Sequence, residues 1–308
     1  MPCQATGRTA DAALSHAKVK PMTVQQPRSA TYAAHYDTAP QQQEAGARTW
    51  LTRGANFVVA VSQVEAGAVL ARDANPDEYF VFVHSGGARI QAGSEQIDAA
   101  PETVTIVPPG ASRVEATAAG TIVRVFSNRA ADLAQASVNQ AIYAEGAPEV
   151  APLVPWPDPP AGFKLRHYVL ADHVRPDSNM RIFRSTNLMV NFLAKRLVPR
   201  DVHKLSPHTH ADFEQASLAI QGTYAHHLRW PWAPDMDMWK EDEHVEIGSP
   251  SVTVIPAKVL HTSRNVSQGD CWLIDIFGPP RMDFSSKPGL VCNADEYPMP
   301  AAVSAAAA

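Results

Sequence analysis

"HTHADFEQASLAIQG", His208 to Gly222, places two histidines two residues apart, directly before a run of alternating apolar and small residues. Alternate residues of a β-strand share a face, so His208 and His210 point the same way, about 7 Å apart along the strand. Two imidazoles converging from one face can share a divalent metal. A third, His261, ends a second strand-like run, "SVTVIPAKVLH". Should the two strands lie side by side, His261 completes a set of three. Neutral imidazole suits Zn, Fe, Ni, Mn or Cu, and spacing does not choose among them.

Working outward, the strand texture is general. "FVVAVSQVEAGAVL", "EYFVFVHSGGARI", "ETVTIVPPG" and "TIVRVFS" precede the histidines, and "MRIFRSTNLMVNFLAKRLV", "SVTVIPAKV" and "DCWLIDIFG" surround them. These short β-branched and aromatic runs are punctuated by Gly, Pro and Asn, which predicts an all-β chain. The two halves also match in texture. "EYFVFVHSGGARI" parallels "EQASLAIQGTYAH", and "PETVTIVPPGASR" parallels "PSVTVIPAKVLH". Gly86 to Pro108 spans 22 positions and Gly222 to Pro256 spans 34, so the second half carries a longer loop at "RWPWAPDMDMWKEDEH". A duplicated β domain with one enlarged loop is the simplest account.

With those residues in view, the chain resembles the cupin superfamily. "HTHADFEQASLAIQG" is similar to the first cupin motif, H-x-H, three or four residues, Glu, six residues, Gly. "PSVTVIPAKVLHTSRN" is similar to the second, with His261 in the His place and Asn265 in the Asn place. Pro250 and Lys258 stand where that motif has glycines. The resemblance implies two tandem jelly-roll barrels. Its expected limits are an N-terminal arm over 1–45, poorly ordered or lying on a partner subunit, and a first barrel over 46–130. A helix and proline-dense linker follow over 131–165, then a second barrel over 166–295 and a frayed tail over 296–308.

The resemblance also implies the ligands: His208, His210, His261 and one of the pair Glu214 and Gln215. Counting back over six intervening residues from Gly222 lands on Gln215, which favours Gln215 and leaves Glu214 as the alternative. The first half shows no imidazole at the equivalent places. One register gives Tyr79, Ala74 and Arg72, the next Glu78, Asp73 and Ala71, with Arg113 at the fourth position. That half is expected to be a scaffold with, at most, a small polar pocket.

Adjacent His226 and His227 face opposite ways on a strand, and either one facing inward is a candidate proton-transfer group. Tyr224, Trp230, Trp232, Trp239 and Arg264 are candidate pocket residues, the tryptophans as an aromatic lid and Arg264 for an anionic substrate. Three histidines and a neutral Gln leave a dication's charge uncompensated, which strengthens it as a Lewis acid. The expectation is one divalent metal per chain, Fe(II) favoured over Zn, Mn or Ni, in a dioxygenase of a small oxygenated, aromatic or enolisable compound. The alternatives are a redox-free isomerase, cyclase or lyase, and a non-catalytic small-molecule binder.

Bulk properties exclude other classes. A net charge of −5 gives no pull towards nucleic acid or an anionic membrane, and no stretch of about 18 apolar residues predicts a span. Three cysteines without a C-x-x-C spacing fit a reducing cytoplasm. Open sheet edges predict a homo-oligomer.

Overall fold

The structure is a computed structural model describing residues 27–301, and every structural statement below concerns these residues. Twenty strands form four antiparallel sheets, and each pair of sheets makes one open jelly-roll sandwich. In the first, the large sheet runs in the order Thr103–Val107, Tyr79–Val83, Gly120–Ser127, Phe57–Val64, Ala47–Arg53 and Gln42–Glu44. The small sheet facing it holds Val69–Asn75, Gly110–Ala118, Gly87–Ala92 and Glu95–Ala99. In the second, the large sheet runs Ser251–Ile255, Gln215–Gln221, Trp272–Phe277, Met189–Leu193 and Met180–Arg184. Its small sheet is Glu243–Ile247, Tyr224–Arg229 and Leu260–Asn265.

The central strands read as unbroken apolar runs because both their faces are buried. On Phe57–Val64, Val58 and Ala60 fill the first barrel, while Val59 and Val61 face the second. On Trp272–Phe277, Ile274 and Ile276 face the first barrel. The two large sheets thus pack face to face. Phe82 is wedged between Phe192 and Trp272, with ring centroids 4.9 and 5.3 Å away.

Two strands cross between the barrels. Thr31–Ala34 pairs with Ser251–Ile255 of the second sandwich, and Arg166–Val169 pairs with Thr103–Val107 of the first. The arm expected over 1–45, poorly ordered or lying on a partner subunit, is described only from residue 27. Over 27–45 the chain is paired as Thr31–Ala34 and Gln42–Glu44, because open edge strands of this same chain accept its backbone hydrogen bonds. Residues 1–26 lie outside the described residues. At the start of the expected tail, Tyr297 is buried, and Glu296 accepts from Tyr168 Oη at 2.6 Å. Residues 302–308 lie outside the described residues. The segment between the barrels holds a helix, Ala131–Ala136, and a 3-10 turn, Gln140–Tyr143, and its proline-dense part forms no strand.

Gly86 and Gly222 end equivalent strands at φ +81° and +84°. A Cβ on Gly222 would stand 2.5 Å from Cys271 Sγ, and one on Gly86 2.7 Å from the Ala119 carbonyl. Each turn therefore requires glycine, which is why the two halves share that landmark.

Candidate metal centre

The loop Pro207–Phe213 brings His208 and His210 to the start of the Gln215–Gln221 strand, and an isolated bridge pairs His208 with His261. One ring nitrogen from each of His208, His210 and His261 falls within 4.8 Å of the others. Second contacts set the tautomers. His208 Nδ1 lies 2.9 Å from the Ser206 carbonyl and His261 Nδ1 2.9 Å from the Val259 carbonyl. Each Nδ1 must donate there, which leaves each Nε2 as a bare lone pair. His261 Nε2 is buried and has no hydrogen-bond partner. Burial pushes the His210 and His261 pKa values down to about 3 and about 4, so both rings are neutral. A buried, neutral, unpartnered imidazole nitrogen fits a bound divalent cation.

Strand alternation settles which of the acid–amide pair faces this cluster. Gln215 Oε1 lies 3.0 Å from His210 Nε2. Its Nε2 donates to Ser217 Oγ at 2.9 Å and to Asp275 Oδ1 at 3.0 Å. The carboxylate can only accept, so the amide is held with its oxygen towards the histidines. Glu214 faces the other way, into the joint between the barrels. There its carboxylate accepts from the Ala55 backbone N–H at 2.6 Å and from Tyr143 Oη at 3.2 Å, with Arg28 Nε at 3.7 Å. Burial pushes its pKa up to about 7, against the pull of those donors.

The first barrel repeats this joint. Glu78 is buried and accepts from Tyr297 Oη at 2.6 Å and from the Thr186 N–H at 3.2 Å, with Arg166 Nη1 at 3.9 Å. Glu78 and Glu214 are thus equivalent junction pins, and Tyr79 and Gln215 are the equivalent inward residues.

Asp275 was not legible as a site residue, although an acid inside the apolar run "CWLIDIFG" was its signal. Its neighbours Ile274 and Ile276 face the other barrel, so Asp275 faces inward beside Gln215. Burial pushes its pKa up to about 6. The expected set of neutral groups thus has a charge behind it: the inward Gln215 amide is neutral, but the Asp275 carboxylate accepts from it.

A cavity of about 250 Å³ opens over the cluster, lined by His208, His261, Gln215 and Asp275 and by Arg196, Arg200, Arg264 and Arg281. Tyr224 and Arg264 line it as expected from sequence. Arg196 and Arg200 come from the basic run "AKRLVPRDVHK", which continues past the strand Met189–Leu193 and lines the cavity.

Other expected pocket residues lie elsewhere. His226 is inward and fully buried, with Nδ1 2.7 Å from Ser263 Oγ, but it does not line this cavity, and burial pushes its pKa down to about 3. His227 is on the outer face, 2.9 Å from His244 and accepting from Arg264 Nε at 3.3 Å. Trp230 is buried, donating its Nε1–H to the Arg28 carbonyl. Trp232 and Trp239 stack on each other, centroids 4.5 Å apart. Trp230 and Trp232 border a separate cavity beside Arg28 and Lys258, so the enlarged loop is no lid over the histidines. Trp230 alone covers the N-terminal segment, while Trp232 and Trp239 stay exposed.

No family model and no curated protein matches this chain. Solved structures do. AerE from Microcystis aeruginosa aligns over 78% of this chain and 95% of its own at 11% identity, TM-score 0.53. The oxalate decarboxylase of Bacillus subtilis, a protein with Mn(II) centres, aligns over 84% of this chain and 79% of its own at 13% identity, TM-score 0.55. That of Lactobacillus farciminis, solved with formate, aligns over 81% and 86% at 15% identity, TM-score 0.54. At such identities the likeness speaks to the fold alone, and the fold is that of two jelly-roll barrels in tandem.

Proposed function

We propose that this chain is a metal-dependent enzyme acting on a small anionic, oxygen-bearing compound in the second barrel. One observation carries the reading: bare imidazole nitrogens and an amide oxygen converge in a cavity whose lining also includes Arg196 and Arg200. His208, His210, His261 and Gln215 would hold a divalent metal, and a bound metal would polarise a substrate oxygen as a Lewis acid. Asp275 and Ser217 keep the Gln215 amide in one orientation. Arg196 and Arg200 line the cavity, where guanidinium groups pair with carboxylate in planar fashion, whereas Arg264 reaches His227 on the outer face and Arg281 is already paired with Asp283.

The reading has two forms. In the first, the metal is Fe(II) and the reaction is a dioxygenation of an enolisable or aromatic compound. In the second, the metal is Mn, Zn or Ni and the reaction is a redox-free lyase or isomerase step on a carboxylate. Arg196 and Arg200 favour the second, since a carboxylate needs those charges more than a neutral ring does. Neither His226 nor His227 reaches the cavity, which removes the proton acceptor that the first form drew from sequence. Metal analysis of protein purified without added metal, with oxygen uptake measured on candidate substrates, separates the forms. Iron with substrate-dependent oxygen uptake establishes the first, and turnover without oxygen establishes the second. A non-catalytic binder would bind small carboxylates at the metal and convert none.

A further inference from the structure

The first barrel has no histidine at the places equivalent to the second barrel's cluster, but its interior carries a charge. Arg124 lies on the strand Gly120–Ser127, between Ile122 and Phe126, which both point into that barrel's core. It pairs with Val81 across the sheet, two residues beyond Tyr79. In the second barrel Ser217, two residues beyond Gln215, pairs with Asp275. Arg124 therefore occupies in the first barrel the place that Asp275 holds in the second. The charge at that place is reversed.

The guanidinium is buried, with 3% of the residue exposed, and its Nε has no hydrogen-bond partner. No carboxylate lies within ion-pair distance of it among the described residues. Arg72 lies close by, but its charge is cancelled by a two-point contact with Asp132, at 2.5 and 3.0 Å. Glu44 lines the same space from an exposed edge strand and does not pair with Arg124. The ring of Phe126 lies 5.5 Å from the Arg124 guanidinium carbon, which supplies some cation–π attraction but no hydrogen bond. A buried cation without a partner is costly, and native structures rarely leave one unexplained.

Arg124 faces a cavity of about 190 Å³, with Thr49 and Gln42 also on its wall. We propose that the first barrel binds a small carboxylate anion in this cavity, with Arg124 as its counter-charge. The planar fork of a guanidinium matches the two oxygens of a carboxylate. This goes beyond the metal chemistry of the second barrel and does not depend on it.

Acetate titrated into the full-length protein tests the proposal, followed by calorimetry and by the melting temperature. Wild type is expected to show a saturable binding event and a rise in melting temperature. Arg124→Met should lose the event and the rise, while melting at or above wild type without acetate, because a buried unpaired charge has gone. Arg124→Lys, which keeps the charge without the fork, should bind more weakly and guards against misreading one unstable variant. Any acetate site among the second-barrel arginines is common to all three proteins and cancels in the comparison. No acetate effect in wild type overturns the proposal, as does an effect unchanged in Arg124→Met. A chloride effect equal to that of acetate at the same ionic strength means an adventitious ion only, and overturns it too.

Discussion

Residue by residue, the site was partly legible. The spacing of His208 and His210 and the place of His261 were enough to bring three histidines together, and alternation from Gly222 pointed Gln215 inward and Glu214 outward. Asp275 was missed because its partner, Gln215, lies 60 residues away on a neighbouring strand, and only the pairing of those strands reveals the contact. Asp275→Asn keeps an acceptor for the Gln215 amide but removes the charge behind it. Metal affinity measured by competition with a chelator should fall by about 10- to 100-fold, the usual effect of losing an outer partner of a metal ligand. An unchanged affinity would mean that the carboxylate contributes nothing to the centre. His35 gives a pH prediction at the same scale. Burial pushes its pKa down from 6.5 to about 4. Below pH 6.5 the unfolded chain takes a proton that the folded ring refuses, so stability falls as pH drops towards 4 and is level above 6.5. The loss is at most about 1.4 kcal/mol per pH unit for this group. Melting curves from pH 4 to 7 should be flatter for His35→Gln than for wild type.

At the scale of elements, the strands were legible and their partners were not. Alternation and punctuation mark each strand locally, whereas the exchange of Thr31–Ala34 and Arg166–Val169 between barrels depends on which sheet edge stands open. The enlarged loop was misread for a similar reason. Tryptophans in a loop say that something is covered, and only the fold shows that it is the segment at Arg28, through Trp230. The turn before His261 carries its own prediction. Lys258 has φ +67°, where a side chain is strained, yet its backbone N–H donates to the His210 carbonyl at 2.6 Å and ties the two histidine segments together. Lys258→Gly keeps that bond and relieves the strain, so the protein should gain about 1 kcal/mol in a denaturant melt. A loss of stability would show that the lysine side chain matters more than the backbone angle.

For the whole molecule, the repeat seen in sequence is a repeat of structure down to the junction. Glu78 and Glu214 are pinned by a tyrosine, a backbone N–H and a nearby arginine in the same way, and the large sheets share one apolar interface. The barrels should therefore unfold together. Phe82→Ala removes the wedge between Phe192 and Trp272 and should cost about 3–5 kcal/mol, lowering a single transition. Two separate transitions in wild type would contradict a shared core. Division of labour between the barrels follows from what each interior carries: histidines, an amide and a carboxylate in the second, an unpaired arginine in the first. The most direct test of the central claim is a crystal structure of the metal-loaded protein with the ion located by anomalous scattering. The account predicts one ion in the second barrel, bound by Nε2 of His208, His210 and His261 and by Oε1 of Gln215, with Glu214 still in the barrel junction. An ion bound by Glu214, or none at the three histidines, would contradict it.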